Sequence, residues 1–235
     1  MGTSELCLIE EDGAINILHK LDFINESRVC LEYYPPLNSI LILKSNGELY
    51  SYDLNNNEVT LMSTLSSQLS EIGSWVGISV NSYDQIFLFN EVSGSRQGRL
   101  FKLLSLNDGT VAPYTDFKSG SPSIIGIEFD DNNRLWNIEQ CCNHRLSILD
   151  GFKGQIKQLF SEPVSINYPQ DLAFNEDNQT LYGIDIKNEF TADRTDFFIA
   201  DRTTGETEIF LSLDGLYSGI AELTIASNVE IGNSN

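Results

Sequence analysis

Gly126-Ile-Glu-Phe129, the turn Asp130-Asp-Asn-Asn-Arg134 and Leu135-Trp-Asn-Ile-Glu139 form a unit that the chain writes four times. A short apolar strand runs into a turn rich in Asn, Asp or Pro, and a second strand leaves it and ends on a polar residue. The other copies are Cys30-Leu-Glu-Tyr33 with Ile40-Leu-Ile-Leu-Lys44, Gly77-Ile-Ser-Val80 with Ile86-Phe-Leu-Phe-Asn90, and Asp171-Leu-Ala-Phe174 with Leu181-Tyr-Gly-Ile-Asp185. Asn and Asp favour the left-handed and Asx conformations that reverse a strand tightly. A third and a fourth strand follow each copy, as in Glu48-Leu-Tyr-Ser-Tyr-Asp-Leu54 and Glu58-Val-Thr-Leu-Met62. The turns between them contain Asn57, Gly109, Gly154 and Gly205, residues that supply the positive φ of a tight hairpin. Helix competes poorly, because apolar residues alternate or run in short blocks; only Ser63–Ile72 could hold a helical turn.

The ends of the chain extend the pattern. Glu5-Leu-Cys-Leu-Ile-Glu-Glu-Asp-Gly13-Ala-Ile-Asn-Ile-Leu18 reads as a third strand, a hairpin and a fourth strand, with no first or second strand before them. Glu222-Leu-Thr-Ile225 reads as a first strand, with Val229-Glu-Ile231 in the place of a second. First-strand markers at 30, 77, 126, 171 and 222 are spaced 47, 49, 45 and 51 residues apart, and the wrap from 222 round to 30 adds 43, which closes on 235. Radially repeated units of four strands and about 40–50 residues are the signature of a β-propeller. The expectation is an all-β, five-bladed β-propeller of four-stranded antiparallel blades in a single domain. Four blades would span 28–73, 74–122, 123–167 and 168–215, and a closing blade would combine 1–27 with 216–235. Shared closure protects strand edges that would otherwise be open; a β-sandwich has no need of complementary ends.

Composition suits a folded domain: 41% of the 235 residues are hydrophobic and 17 are Gly. A chain of this size can bury a core without disulfide or metal staples. The net charge of −20 repels phosphate backbones, which argues against nucleic acid as a partner. No run of 18 apolar residues marks a membrane span. The segment MGTSELCLIEEDG lacks the basic and long apolar regions of a signal peptide, so a cytoplasmic location is favoured over secretion after removal of a leader. Cys7, Cys30, Cys141 and Cys142 lack the paired spacing of a zinc site and read as free thiols.

Leu181-Tyr-Gly-Ile-Asp185 followed by Phe198-Ile-Ala-Asp-Arg-Thr-Thr-Gly-Glu-Thr207 resembles the repeat L-Y-x-I-D…I-D-x-x-T-G-x-x-T of many bacterial propellers. The group is the broad NHL and SMP-30-like (gluconolactonase-like) one. The likeness spans the chain as a blade pattern, and its motif fits well in this blade alone. It implies architecture rather than activity.

In a propeller, the loops joining second to third strands, and fourth to the next first strand, gather on one face. Here the former run Lys44–Glu48, Asn90–Arg99, Glu139–Arg145 and Asp185–Asp196, unequal in length and chemistry, whereas the turns of the opposite face are short and uniform. Lys44, Asn90, Glu139 and Asp185 hold matching positions at the channel mouth. Asn90, Glu139 and Asp185 offer oxygen ligands, with Ca²⁺ as the candidate cation, and SMP-30-like propellers hold their metal with the same residue types. Lys44 departs from that pattern and would neutralise a carboxylate. Trp75, Tyr168 and Tyr217, placed in fourth-to-first loops, could receive a ligand on their aromatic faces. His144, in Cys141-Cys-Asn-His144, adds a further candidate, although tetrahedral zinc wants a fourth ligand. No catalytic constellation stands out. The expected function is therefore non-enzymatic binding of a protein, peptide or small ligand on the loop face. The alternatives are a Ca²⁺-type hydrolase related to lactonases and a repeat lectin.

Overall fold

The computed structural model describes residues 4–9, 14–24, 29–65, 73–92, 97–117, 124–139, 145–160, 166, 168–176, 179–186, 194–214 and 224–226. Glu5–Ile9 (β1) and Ile15–Lys20 (β2) make a two-stranded hairpin. Four antiparallel sheets follow, each a meander of four consecutive strands. The first comprises Val29–Tyr34 (β3), Ser39–Lys44 (β4), Glu48–Asp53 (β5) and Glu58–Thr64 (β6). The second comprises Ser74–Val80 (β7), Ile86–Val92 (β8), Gln97–Leu103 (β9) and Val111–Phe117 (β10). The third holds Ile124–Phe129 (β11), Leu135–Glu139 (β12), Leu146–Asp150 (β13) and Gln155–Leu159 (β14). Pro169–Asn175 (β15), Thr180–Ile186 (β16), Arg194–Ala200 (β17) and Thr207–Asp214 (β18) form the fourth. Thr224, Ile225 and Ala226 lie outside any described strand, and Val229-Glu-Ile231 lies outside the described residues, as does most of Ser63–Ile72.

Turn chemistry sets this regularity. Every first-to-second turn contains one non-glycine residue in the left-handed region: Asn38, Asp84, Asn133 and Gln179, with φ between 46° and 58°. Each third-to-fourth turn of these four sheets likewise holds one positive-φ residue, Asn57, Gly109, Gly154 or Gly205. Gly, Asn and Asp reach that conformation readily, and Gln179 is the exception among these turns.

Each sheet is buried on both faces, which is why its second strand reads as a continuous apolar run rather than an alternation. Leu41, Leu43 and Leu49 of the first sheet meet Trp75, Ile78, Leu88 and Phe101 of the second. Phe87, Phe89 and Leu100, on the other face of the second, meet Ile127, Leu135 and Leu149 of the third. Trp136, Ile138 and Ile148 then meet Leu172, Leu181 and Phe198 of the fourth. On the near side of the first sheet, Ile40, Ile42 and Tyr52 pack on Leu6, Leu21 and Ile24 of the hairpin region, and Ala226 joins this cluster. The sheets thus stack face to face in chain order, with β3, β7, β11 and β15 side by side along one edge.

Candidate functional site

Three of the four matched residues at the ends of the second strands, Lys44, Asn90 and Asp185, share one structural task. Each stands beside the start of the third strand and reaches back toward the segment that leads into its own sheet. Lys44 Nζ donates to the carbonyl of Phe23 at 3.4 Å and pairs with Glu48 at 2.6 Å. Asn90 Oδ1 accepts the Gly73 amide at 3.0 Å, immediately before β7. Asp185 Oδ1 accepts the Tyr168 amide, immediately before β15, and the Tyr168 carbonyl accepts the Ile186 amide at 3.0 Å. Glu139 lies 3.9 Å from Arg145, whose carbonyl also accepts its amide. Lys44, Asn90 and Asp185 thus latch the entry of a sheet to its second strand, whereas Glu139 faces the start of the third strand. Within the described residues, no group of three His, Cys, Asp or Glu side chains converges on a point that could hold a metal ion.

The aromatic candidates separate. Trp75 belongs to no loop. It is the second residue of β7, only 2% exposed, and lies between the first and second sheets with Phe101 edge-on at 5.3 Å. A register shift between Trp75 and Gly77 turns it inward, and its Nε1 closes against Gly47, where a Cβ would stand 3.0 Å away. Tyr168 is half-buried at the entry to β15, its backbone engaged as above. Tyr217, His144, Cys141 and Cys142 lie outside the described residues.

Sequence reasoning passed over the innermost strands. In β3, β7 and β11, the third residue of the quoted motif accepts the amide of the fourth residue of the next inner strand. Glu32 accepts from Val80 at 2.8 Å, Ser79 from Phe129 at 2.9 Å and Glu128 from Phe174 at 2.8 Å. Thr224 holds the same place in its motif, and its Oγ1 accepts the Tyr33 amide at 2.8 Å. Ala173, which holds the same motif position in β15, has no side-chain acceptor. The signal in the sequence was a polar residue recurring inside an otherwise apolar strand. Burial pushes the carboxyl of Glu32 well above the ordinary range, the Glu128 charge adds to the effect, and the Val80 amide opposes it. Burial raises Glu128 as well, against the lowering effect of the Phe174 amide.

Among the described residues, no helix is long and apolar enough to cross a membrane. No family model matches the chain, and no curated protein matches it in sequence. Among solved structures 670 chains match, a breadth that marks an architecture shared by many proteins rather than one activity. One is the crystal structure of a nidogen/laminin complex, whose matched chain contains a β-propeller. It has a TM-score of 0.55 and 13% identity, and the alignment covers 93% of this chain and 74% of that one. With consecutive meanders stacked face to face around a line of inner strands, the chain is an all-β propeller with four-stranded antiparallel blades.

Proposed function

We propose that this chain is a non-enzymatic binding propeller of five blades, presenting its loop face to a protein or peptide. The observation that carries the binding reading is how the matched loop-face positions are used: Lys44, Asn90 and Asp185 anchor backbone, which leaves recognition to the unequal loops rather than to a reaction centre. The nidogen/laminin structure is a protein–protein complex, and a propeller there sits in an assembly of that kind. Metal analysis of the purified chain, with and without Glu139→Ala, tests the reading. We expect no stoichiometric cation in either protein. A bound cation lost on substitution, with hydrolysis of simple lactones, would overturn it in favour of the Ca²⁺-dependent hydrolase. Glycan binding at several equivalent sites would favour the lectin.

Three observations support a fifth, closing blade built from 1–27 and 216–235. The Tyr33–Thr224 hydrogen bond repeats the step that joins the other inner strands. Ala226 shares a cluster with Leu6 of the hairpin. Ile184 and Phe197, on the face of the fourth sheet turned away from the third, are only 0% and 3% exposed. Removing 216–235 should therefore lower the thermal midpoint and broaden the unfolding transition. An unchanged, equally sharp transition would refute closure.

A further inference from the structure

Glu32 and Glu128 are two buried acids that the loop-face reading leaves without a role. They lie on β3 and β11, 8% and 6% exposed. Their hydrogen bonding is unequal. Glu128 accepts twice, from the Phe174 amide on Oε1 and from the Ser79 hydroxyl on Oε2 at 3.1 Å. Ser79 in turn accepts the Phe129 amide, so β7, β11 and β15 converge on one carboxylate. Glu32 accepts from Val80 on Oε1. The titratable groups that act on the pair from the strands packed against it are also acids: Asp171 of β15 on both, and Glu176, just after β15, on Glu128. From β7 the pair faces the neutral Ser79.

A buried carboxylate is tolerated where hydrogen-bond donors converge on it, and a second one nearby adds repulsion at low dielectric. One proton resolves the conflict, and the better-solvated partner keeps the charge. Glu128 has two donors, which favours its ionised form. A proton on Oε2 of Glu32 leaves Oε1 free to go on accepting the Val80 amide.

We propose that the Glu32–Glu128 pair is a proton-operated clasp on the inner strands: with Glu32 protonated and Glu128 ionised, the first four blades are held at their inner edge, and loss of that proton loosens them. Each carboxyl binds its proton more tightly in the folded chain than in the unfolded one, where Glu titrates near 4.5. Between that value and the folded ones, the folded state carries more protons, so stability is full in mild acid and declines as pH rises through the window. A single extra proton changes the unfolding constant by up to about tenfold per pH unit.

The test is urea unfolding of the full chain from pH 5 to pH 9, for the wild type, Glu32→Gln and Glu128→Gln. Glu32→Gln keeps an acceptor for Val80 and stands in for the protonated acid. We expect the wild type to lose stability across the range, and Glu32→Gln to flatten that slope and match or exceed the wild type at pH 8. Glu128→Gln removes the negative charge that helps hold the proton on Glu32, so the decline should move toward lower pH; a decline left where the wild type has it would overturn the pairing of the two acids. A Glu32→Gln slope equal to the wild type, or a uniform loss of stability at every pH, would overturn the proposal. Carboxyl-carbon NMR of wild-type chain labelled at Glu gives a readout that needs no variant. A Glu32 resonance that titrates well above the ordinary Glu range is expected, and one titrating within that range would refute the clasp.

Discussion

Replacing Asp130 with Ala removes an acceptor on which one corner of the third blade depends. The carboxylate is fully buried and follows β11 directly. Oδ1 accepts the amides of Asn132 at 3.0 Å and Arg134 at 2.9 Å, which shapes the turn into β12. Oδ2 accepts from Trp136 Nε1 at 2.9 Å and from Arg134 Nε at 2.6 Å, with Arg202 of the fourth blade 3.6 Å away. The two guanidinium groups are partly exposed and can return to water, so they add little to the loss. Trp136 is 0% exposed, and an indole N–H left there without an acceptor costs about 1–3 kcal/mol. Two half-buried turn amides add about 0.5–1 kcal/mol each. The total is about 2–5 kcal/mol, or about 4–20 °C in thermal midpoint for a chain of this size. Asp130→Asn isolates the indole share, because Asn81 already shapes the equivalent turn of the second blade with an amide oxygen, accepting from Tyr83 and Gln85 at 3.0 Å. Circular dichroism melts of both variants, repeated on a Trp136→Phe background, give the coupling. If Asp130→Ala costs less than about 1 kcal/mol, or costs as much with Phe at 136 as with Trp, the assignment of the indole as the dependent group is refuted.

Gly126→Ala should destabilise by about 1–3 kcal/mol, because its Cβ would stand 2.7 Å from Asp171 Oδ1 and 3.1 Å from the β15 backbone; chemical unfolding with an unchanged midpoint would show that the inner strands yield. Trp75→Ala should cost about 3–5 kcal/mol in the same assay, whereas a ligand-facing loop aromatic would leave stability intact. Asp201 and Asp108 are held below the ordinary Asp value by hydrogen bonds in their turns, from Thr204 and Thr203 for Asp201 and from Thr110 for Asp108. Their folded values are depressed, so the stability they add is present above the ordinary Asp range and is lost as pH falls through the lowered values. Asp201→Ala should accordingly weaken the dependence of the melting temperature on pH below about 4, and an unchanged acid limb would contradict the assignment.

Much of the fold was legible because local chemistry decides it. The left-handed residues at Asn57, Gly109, Gly154 and Gly205 fall where the repeat asks for them, and strands buried on both faces announce themselves as short apolar blocks. Trp75 was misplaced because a bulge between it and Gly77 decides which way it faces, and a bulge leaves no mark in the spacing of apolar residues. Asn90 and Asp185 were recognised as equivalent, but their partners are backbone amides 17 residues earlier, which side-chain chemistry alone does not announce. Glu32 and Glu128 were hidden for a related reason. Each meets an amide of the following unit, 48 and 46 residues along the chain, so the meaning of the acid is fixed only once two blades are assembled.

The hydrogen bond from Tyr33 to Thr224 has a consequence in time. The other inner-edge links join units that are neighbours in the chain, and each can form as soon as its second member has been made. This one spans 191 residues. During synthesis the Tyr33 amide waits for 191 further residues, and on refolding this link carries the largest loop-closure penalty of the set, a penalty that grows slowly with length. In the closed ring proposed above, it is the inner-edge link whose two members are furthest apart in the chain.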